Sequence, residues 1–244
     1  MTDQKTASHN PNALPLYVQI SELLIRDIAA GRLIDGERLP PEREMAEDLG
    51  ISVGTLRKAL ADLTKRGLLM RIQGSGNYIQ QGGGTDSVYG MFRLELHSGG
   101  GLPRATYLDV SRQDIPKGLV TLGPTSFGKE AWGTRIRRLR FLNETVIAVE
   151  EIWLDGSAGE VAPDLLSDSL YRYYQKQLGF WINRAEDRVA IGQSPQWAPK
   201  EFPKAAGSPT GYIERLSWSD GPEPIEFSKT WFDPDKALYV QRLK

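Results

Sequence analysis

The amino-acid sequence predicts an α+β protein of two domains, a mainly helical N-terminal domain and a C-terminal domain built on an antiparallel sheet. Three observations support this architecture. Residues 39–69 carry two short helical patterns separated by a glycine, a glycine-rich hairpin pattern follows directly, and beyond residue 88 the pattern changes to mostly strands. A length of 244 residues also suits two modest domains.

The first helical pattern covers residues 42–49 and ends at Gly50, a residue type that readily adopts the left-handed conformation of a helix C-terminus. Ser52 is a natural N-cap for a second helix over residues 53–66, which Gly67 ends. The apolar residues of this second helix share one face: Leu56, Ala59, Leu60 and Leu63. Two short helices joined by a tight turn predict a helix-turn-helix.

The two predicted helices differ in charge. Residues 42–50 contain four acidic residues and one arginine, whereas residues 52–81 contain five basic residues and one aspartate, five minus one, or plus four. A helix with small and polar residues in its first turn and cations along its side can enter the major groove of DNA. The alternative is a helical hairpin whose charged side chains are only solvated.

Two short apolar runs, residues 70–72 and 77–79, surround the glycine-rich turn formed by residues 73–76. A hairpin directly after a helix-turn-helix makes a winged helix, and its glycines allow the wing backbone to approach the minor groove or the phosphates. An earlier helix, from Pro15 to about Ala30, supplies the scaffold. Residues 1–14 are expected to form a disordered arm and residues 81–87 a flexible linker.

Residues 15–80 resemble the N-terminal domain of GntR-type bacterial transcription regulators. The resemblance is carried by several short runs: residues 15–20, 31–33, 39–44, 49–50, 55–60, 67–69 and 74–76, with Gly36 and Leu63. Pro41 and Val53 depart from the residues that are common in the family. The resemblance implies double-stranded DNA as partner, and the expected contacts are Arg43, Ser52, Thr55, Arg57, Lys58, Gly74, Ser75 and Gly76. Thr55 and Arg57 are expected in the major groove and Arg43 near the backbone.

The amino-acid composition excludes several classes of protein and of functional site. No apolar run reaches membrane-spanning length and the N-terminus is too polar for a signal peptide, so we expect a cytoplasmic protein without membrane contact. The absence of cysteine excludes disulfides, thiolate metal sites and a cysteine nucleophile, and only His9 and His97 are histidines. No cofactor loop or metal cluster is visible. A net charge of −1 means that DNA affinity must come from a local basic patch.

Residues 88–244 contain candidate strands at 88–96, 106–112, 130–142, 146–154, 188–192, 210–219 and 224–232. Helices are expected at 167–178 and, as a short element, at 198–202. The strands 130–142 and 146–154 are close enough to form a hairpin through Asn143 and Glu144. An antiparallel α+β domain follows from this order.

This domain resembles the UTRA effector-binding module of the HutC branch of GntR regulators, whose fold is similar to chorismate lyase. The resemblance rests on residues 101–103, 138–142, 146–154, 169–171 and 226–233. In UTRA regulators, arginines at the positions of Arg138 and Arg140 commonly hold an anionic group of the effector. A glutamate at the position of Glu150 commonly holds its polar part.

Strand periodicity places Ile136, Arg138 and Arg140 on one face of their strand. Two guanidiniums two residues apart can clamp a carboxylate or phosphate, although arginines on a strand face are often only solvated. Glu150 should lie alongside on the next strand, and Ser169 could add a hydroxyl at a helix N-terminus. The expected ligand is a small anionic metabolite.

These patterns predict a ligand-responsive transcription regulator, a homodimeric repressor that binds a palindromic operator. A competing hypothesis is an enzyme that acts on a small acid, because the second domain resembles a lyase. A third is a helix-turn-helix used for protein interaction. The sequence contains no nucleophile and base constellation for the second hypothesis.

Overall fold

The computed structural model describes residues 14–29, 32–80, 91–123, 126–166 and 169–242. The N-terminal domain contains three helices and a two-stranded wing: α1 Leu16–Ala29, α2 Glu42–Asp48, α3 Val53–Lys65, β1 Leu69–Ile72 and β2 Gly76–Ile79. The expected arm lies outside the described residues except for Leu14, which is buried. The expected linker also lies outside them.

The helix-turn-helix forms as its sequence pattern predicts. Gly50 adopts a φ of 63° after α2, and Ser52 caps α3 through its side chain. The apolar face of α3 packs with α1 and the wing into one core, so the three helices bury a single cluster. Its fully buried members from α3 are Leu56, Ala59 and Leu63. Burial of this face, rather than helix propensity, is what stabilises such short helices.

The described residues of the second domain form eight strands: β3 Leu94–Leu96, β4 Pro103–Asp114, β5 Trp132–Leu142, β6 Thr145–Asp155, β7 Arg184–Gln193, β8 Pro209–Trp218, β9 Glu226–Phe232 and β10 Ala237–Tyr239. Six of them form one antiparallel sheet in the order β4-β5-β6-β9-β8-β7, and β3 pairs with β10 in a small separate sheet. Asn143, with φ 53°, and Glu144 close the β5–β6 hairpin, which confirms the turn predicted from the sequence.

Helical structure in the second domain is shorter than expected. Over the described part of the predicted helix 167–178, α4 is Leu170–Tyr173 and a π-helical turn, Tyr174–Leu178, follows it. The predicted helix at 198–202 is wrong. Hydrogen-bonded turns from Ala198 to Pro195 and from Phe202 to Pro199 replace it. Pro199 and Pro203 disfavour a helical conformation of the residues that precede them. Strand β10 was not predicted.

The two faces of the six-stranded sheet have different surroundings. On one face, α4 and the π-helical turn pack over Ile136 and Ile152. On the other face, Leu119 packs against Trp153 and Phe227, and Phe202 packs against Leu139. Polar side chains on the first face are therefore enclosed between the sheet and α4. Among the described residues, no helix is both long and apolar enough to cross a membrane.

Candidate nucleic-acid interface and effector pocket

The start of α3 presents two hydroxyl groups. The Ser52 Oγ accepts a hydrogen bond from the Thr55 backbone N–H at 3.1 Å, and the two side-chain oxygens lie 2.9 Å apart. The cap satisfies one of the unpaired N–H groups of the first helical turn. Ser52 is exposed and Thr55 half-buried, so both polar groups lie at the end of α3 that is expected to reach the base edges.

Arg57 lies on the solvent side of α3 with 62 % of its side chain exposed. Its Nε donates to Glu42 Oε2 at 2.6 Å, and Nη2 of Arg71, from the wing, lies 3.5 Å from Glu42 Oε1. The hydrogen bond from Arg57 is the main reason why the pKa of Glu42 is below its ordinary value. Glu42 thus holds one arginine from the recognition helix and one from the wing on the same side of the domain.

The remaining predicted DNA contacts border this side. Arg43 and Lys58 are exposed, and a cleft of about 720 Å³ lies between the start of α2 and the wing. Gly74 and Gly76 line this cleft with φ of 77° and 133°, conformations that favour glycine. The Ser75 Oγ lies 2.7 Å from the Tyr78 hydroxyl oxygen, so the wing turn is held by a side-chain contact.

Not every cation of α3 is available. Arg66 pairs with Glu22 at 2.9 Å and with Asp62 at 3.0 Å, which fixes it against the helices of its own domain. Lys65, by contrast, is exposed. The net positive charge counted from the sequence therefore overstates the charge that this surface can offer to phosphates.

The second site is a small pocket between the sheet and α4. Arg138 and Glu150 are directly opposite each other on β5 and β6, and Arg138 Nε donates to Glu150 Oε2 at 2.5 Å. Arg140 Nη1 lies 3.7 Å from the same oxygen, and Thr230 Oγ1 donates to Glu150 Oε1 at 3.3 Å. The structure thus brings together the three charged residues that the sequence assigned to effector binding.

Burial and charge act in opposite directions on this group. Burial alone would raise the pKa of Glu150, but Arg138 and Arg140 hold it below its usual range, so the carboxylate is charged. Arg138 Nη1 is buried and, within the part of the chain that the structure describes, has no hydrogen-bond partner. A buried guanidinium N–H without an acceptor is costly and is a natural place for an anionic ligand group.

Ser169 also lines the pocket and is buried. Its Oγ accepts a hydrogen bond from the backbone N–H of Arg172 at 3.4 Å, so the hydroxyl caps α4. The helix that follows has only four α-helical residues, so the expected helix N-terminus at this place is weak.

Seven further lining residues were not predicted as effector contacts: Phe92, Ile152, Leu170, Tyr171, Arg215, Glu226 and Ser228. Arg215 lies opposite Ser228 on the neighbouring strand and makes two hydrogen bonds to Asp187, of 2.5 and 2.7 Å. Arg215 shares one face of β8 with Ile213 and Ser217, each two residues away, and this alternation is visible in the sequence. The order of the strands is needed to place that face near the pocket.

Glu226 closes one end of the pocket. Its carboxylate accepts hydrogen bonds from the Tyr174 hydroxyl at 2.6 Å and the Ser217 hydroxyl at 3.0 Å. Burial raises the pKa of Glu226 above its usual value, and the hydrogen bonds from Tyr174 and Ser217 only partly oppose this effect. No group of three or more metal-ligating side chains occurs among the described residues.

Comparison with known proteins matches each half of this architecture. Residues 16–79 match the family model of bacterial regulatory proteins of the gntR family, and residues 104–237 match the UTRA domain. HTH-type transcriptional regulator SmoD of Agrobacterium fabrum is 52 % identical over 237 residues, which cover 97 % of this chain and 99 % of SmoD. The chain belongs to the GntR family. As a GntR regulator with a UTRA domain, it fits the HutC branch that the sequence suggested.

A more distant relative is HTH-type transcriptional repressor NagR of Bacillus subtilis, 26 % identical over 230 residues that cover 93 % of this chain and 94 % of NagR. The fold is similar to the crystal structure of YydK from Bacillus subtilis, with a TM-score of 0.52 and 18 % identity over 95 % of this chain and 100 % of that one. These GntR relatives are named as transcription regulators, so this chain is a ligand-binding transcription regulator of that type and not an enzyme on a lyase-like fold.

Proposed function

We propose that this GntR regulator is a homodimeric repressor that binds a palindromic operator and releases it when a small anionic metabolite enters the pocket of its UTRA domain. The observation that carries the proposal is the buried cluster of Arg138, Arg140 and Glu150 in a chain that also presents a winged helix. DNA and the metabolite would then bind in different domains, as a regulator requires.

The DNA contacts are supported by the geometry of the winged helix. Arg57 and Arg71 lie together at Glu42, next to a cleft that the wing glycines border. The proposed arrangement places α3 in the major groove with Ser52, Thr55 and Arg57 towards the bases. Arg43, Lys58 and the wing residues Gly74, Ser75 and Gly76 would contact the backbone.

An anionic effector is supported by the charges that line the pocket. Three guanidiniums, those of Arg138, Arg140 and Arg215, face two carboxylates, those of Glu150 and Glu226. Among the charged lining residues the guanidiniums outnumber the carboxylates by one, and an anionic ligand group would compensate this positive excess. Glu150 and Ser169 can bind hydroxyl or amine groups of the same ligand. Candidate ligands are a sugar phosphate, an organic acid and an amino-acid derivative, in that order.

Dimerisation is supported by the edge of the sheet. Strand β7 is the last strand of the six, and its exposed face carries Val189 and Ile191 with 52 % and 86 % of their surfaces accessible. An unpaired strand edge with exposed apolar side chains is a template for pairing with a second strand. A two-fold dimer of this kind would present two recognition helices to the two halves of a palindrome.

Repression, rather than activation, is supported by the relative NagR, which is named a transcriptional repressor. The repressor would act in the cytoplasm, where operator DNA and metabolites are both available. A mobility-shift assay with the DNA upstream of this gene and of its neighbours tests the proposal. A shift that competes with specific but not with unrelated DNA supports it, and the absence of any shift at micromolar protein would favour a protein-interaction role for the helix-turn-helix.

A further inference from the structure

The pocket is too small for the proposed ligand as it stands. Its volume is about 60 Å³, whereas sites for small molecules usually measure about 300–1,000 Å³. A metabolite therefore has to displace part of the lining. Arg138, Arg140 and Glu150 belong to two central strands of the sheet, which cannot move without breaking its hydrogen bonds. Phe92 belongs to no strand or helix and is only partly buried, which makes it a side chain that can move.

Phe92 also contacts the DNA-binding domain. The guanidinium carbon of Arg140 lies 4.8 Å from the centre of the Phe92 ring, and that of Arg26 lies 5.8 Å from the same centre. Arg140 is a pocket residue, whereas Arg26 belongs to α1 and is only 2 % exposed. One aromatic ring thus joins the effector pocket to the scaffold helix of the winged domain through two cation–π contacts.

A second contact between the domains lies three residues further along the chain. Glu95 is buried, and its carboxylate pairs with Arg32 of the N-terminal domain at 3.0 Å and with Arg242 at 2.7 Å. Burial alone would raise the pKa of Glu95, but Arg242 and Arg32 hold it below its usual range. The carboxylate is therefore charged when it bridges the N-terminal domain and the C-terminal segment.

We propose that Phe92 and Glu95, with Arg26 and Arg32, form an interdomain latch that holds the winged domain against the UTRA domain and senses whether the pocket is occupied. The inference rests on the proposed function for the identity of the ligand. A ligand that takes the Arg140 guanidinium and the space beside it moves Phe92 away from Arg26. Loss of that contact weakens the attachment of the winged domain and shifts its range of positions.

The direction of coupling follows from linkage. If occupancy weakens the latch, then an intact latch must disfavour occupancy, and a broken latch should raise the affinity of the pocket for the ligand. The substitution of Arg140, a residue that does not touch the winged domain in the contacts above, must also release that domain without any ligand. A purely local role of Arg140 in ligand binding does not predict this release, so the release distinguishes the two explanations.

Because the chain contains no cysteine, two introduced cysteines can be labelled specifically. Spin labels at Asp48→Cys on α2 and Lys200→Cys in the second domain, both exposed positions, report the distance between the domains by double electron–electron resonance. The full chain is used, diluted with unlabelled chain so that a dimer carries labels on one protomer only. The variants are Phe92→Ala, Glu95→Gln and Arg140→Met, each checked for folding by circular dichroism.

We expect a narrow distance distribution for the parent chain and a broader or shifted one for all three variants. Arg104→Met is the matched control, since Arg104 also lies over a phenylalanine ring, that of Phe141, at 6.0 Å, but outside the latch. If Arg140→Met changes the distribution no more than Arg104→Met does, the pocket is not coupled to the winged domain and the proposal is overturned. If Phe92→Ala and Glu95→Gln also leave it unchanged, there is no latch.

This outcome is independent of the proposed function, because no operator and no ligand is added. A chain that binds neither DNA nor an anion but shows broadened distributions in the three variants would refute the proposed function and retain the latch. A chain that binds both DNA and an anion but shows unchanged distance distributions in the three variants would support the proposed function and refute the latch.

Discussion

Arg138 and Glu150 face each other on β5 and β6 and are joined by a 2.5 Å hydrogen bond inside the pocket between the sheet and α4. Both side chains are about one-tenth exposed, at 10 % and 11 %. A buried ion pair of this kind adds little net stability, because desolvation offsets the attraction, but the loss of one partner leaves a buried charge without compensation. The pair is therefore a weak source of net stability, and it is available for the ligand-binding role that we propose for it.

Replacement of Glu150 by alanine should lower the free energy of unfolding by about 3–5 kcal/mol, because Arg138 then stays buried without its carboxylate. Urea denaturation measures this difference. Glu144→Ala removes an exposed partner of Arg104 and should cost no more than about 1 kcal/mol. Equal effects of the two substitutions would contradict the buried ion pair.

The difference in unfolding free energy between the parent and Glu150→Ala should depend on pH, because the pKa of Glu150 is lowered in the folded chain. The folded chain holds a proton at Glu150 less readily than the unfolded chain does. The stability that the carboxylate contributes is therefore present above the pKa of an unfolded glutamate and is lost as pH falls through the folded pKa. The deficit of Glu150→Ala relative to the parent should shrink in acid.

Glu226 should show the opposite dependence. Burial raises its pKa above the ordinary 4.5, so its contribution to stability is greatest below that value and is lost as pH rises through the folded pKa. Glu226→Gln keeps the size of the side chain and cannot ionise. The unfolding free energy of the parent minus that of Glu226→Gln should decrease from acidic to neutral pH in urea titrations. A difference that is constant or increases with pH would show that Glu226 is not protonated more readily when buried.

The sequence predicted elements whose pattern is local. The spacing of Leu56, Leu60 and Leu63 determines the buried face of α3, and Asn143 marks the β5–β6 hairpin. Arg138, Arg140 and Glu150 were identified because adjacent strands of one hairpin bring them together. The helix predicted at 198–202 failed because the turns made by its prolines override its apolar spacing.

Features that depend on distant pairing could not be predicted. Arg215 reaches the pocket because β8 pairs with β9, and Phe92 reaches it from the segment before β3. Neither residue has a local pattern that distinguishes it from an ordinary strand or loop residue. The sheet order decides their positions, and only the β5–β6 part of that order follows from the length of a turn.

Arg57→Ala should weaken binding to the specific operator by about 1–3 kcal/mol if Arg57 reads a base. Lys58→Ala and Lys65→Ala should instead weaken binding to all sequences and lower the slope of log K against log salt by roughly one unit each, if each touches a phosphate. Fluorescence anisotropy at several salt concentrations measures both quantities. Lys176→Ala, an exposed lysine of the second domain, is the control for loss of one charge. An Arg57→Ala chain with unchanged operator affinity would exclude the proposed docking.

The full chain and the fragment 88–244 should both sediment as dimers at micromolar concentration. Ile191→Lys places a charge on the exposed edge strand β7 and should shift the full chain towards monomer. Ile34→Lys is the matched control, because Ile34 is also exposed, at 57 %, but lies in the winged domain. A monomeric fragment would assign the dimer contacts to the N-terminal domain, and an unchanged Ile191→Lys dimer would exclude the β7 edge.

We propose that an anion in the pocket of Arg138, Arg140 and Glu150 controls operator binding. The most direct measurement is the operator affinity of the parent and of Arg140→Ala, with and without a panel of sugar phosphates, organic acids and amino-acid derivatives. We expect at least one compound to weaken the parent's affinity about ten- to hundredfold, which corresponds to about 1.4–2.8 kcal/mol of coupling. Arg140→Ala should lose this response, so that its operator affinity is the same with and without each compound. If that variant releases DNA at the same compound concentration as the parent, the pocket does not hold the effector.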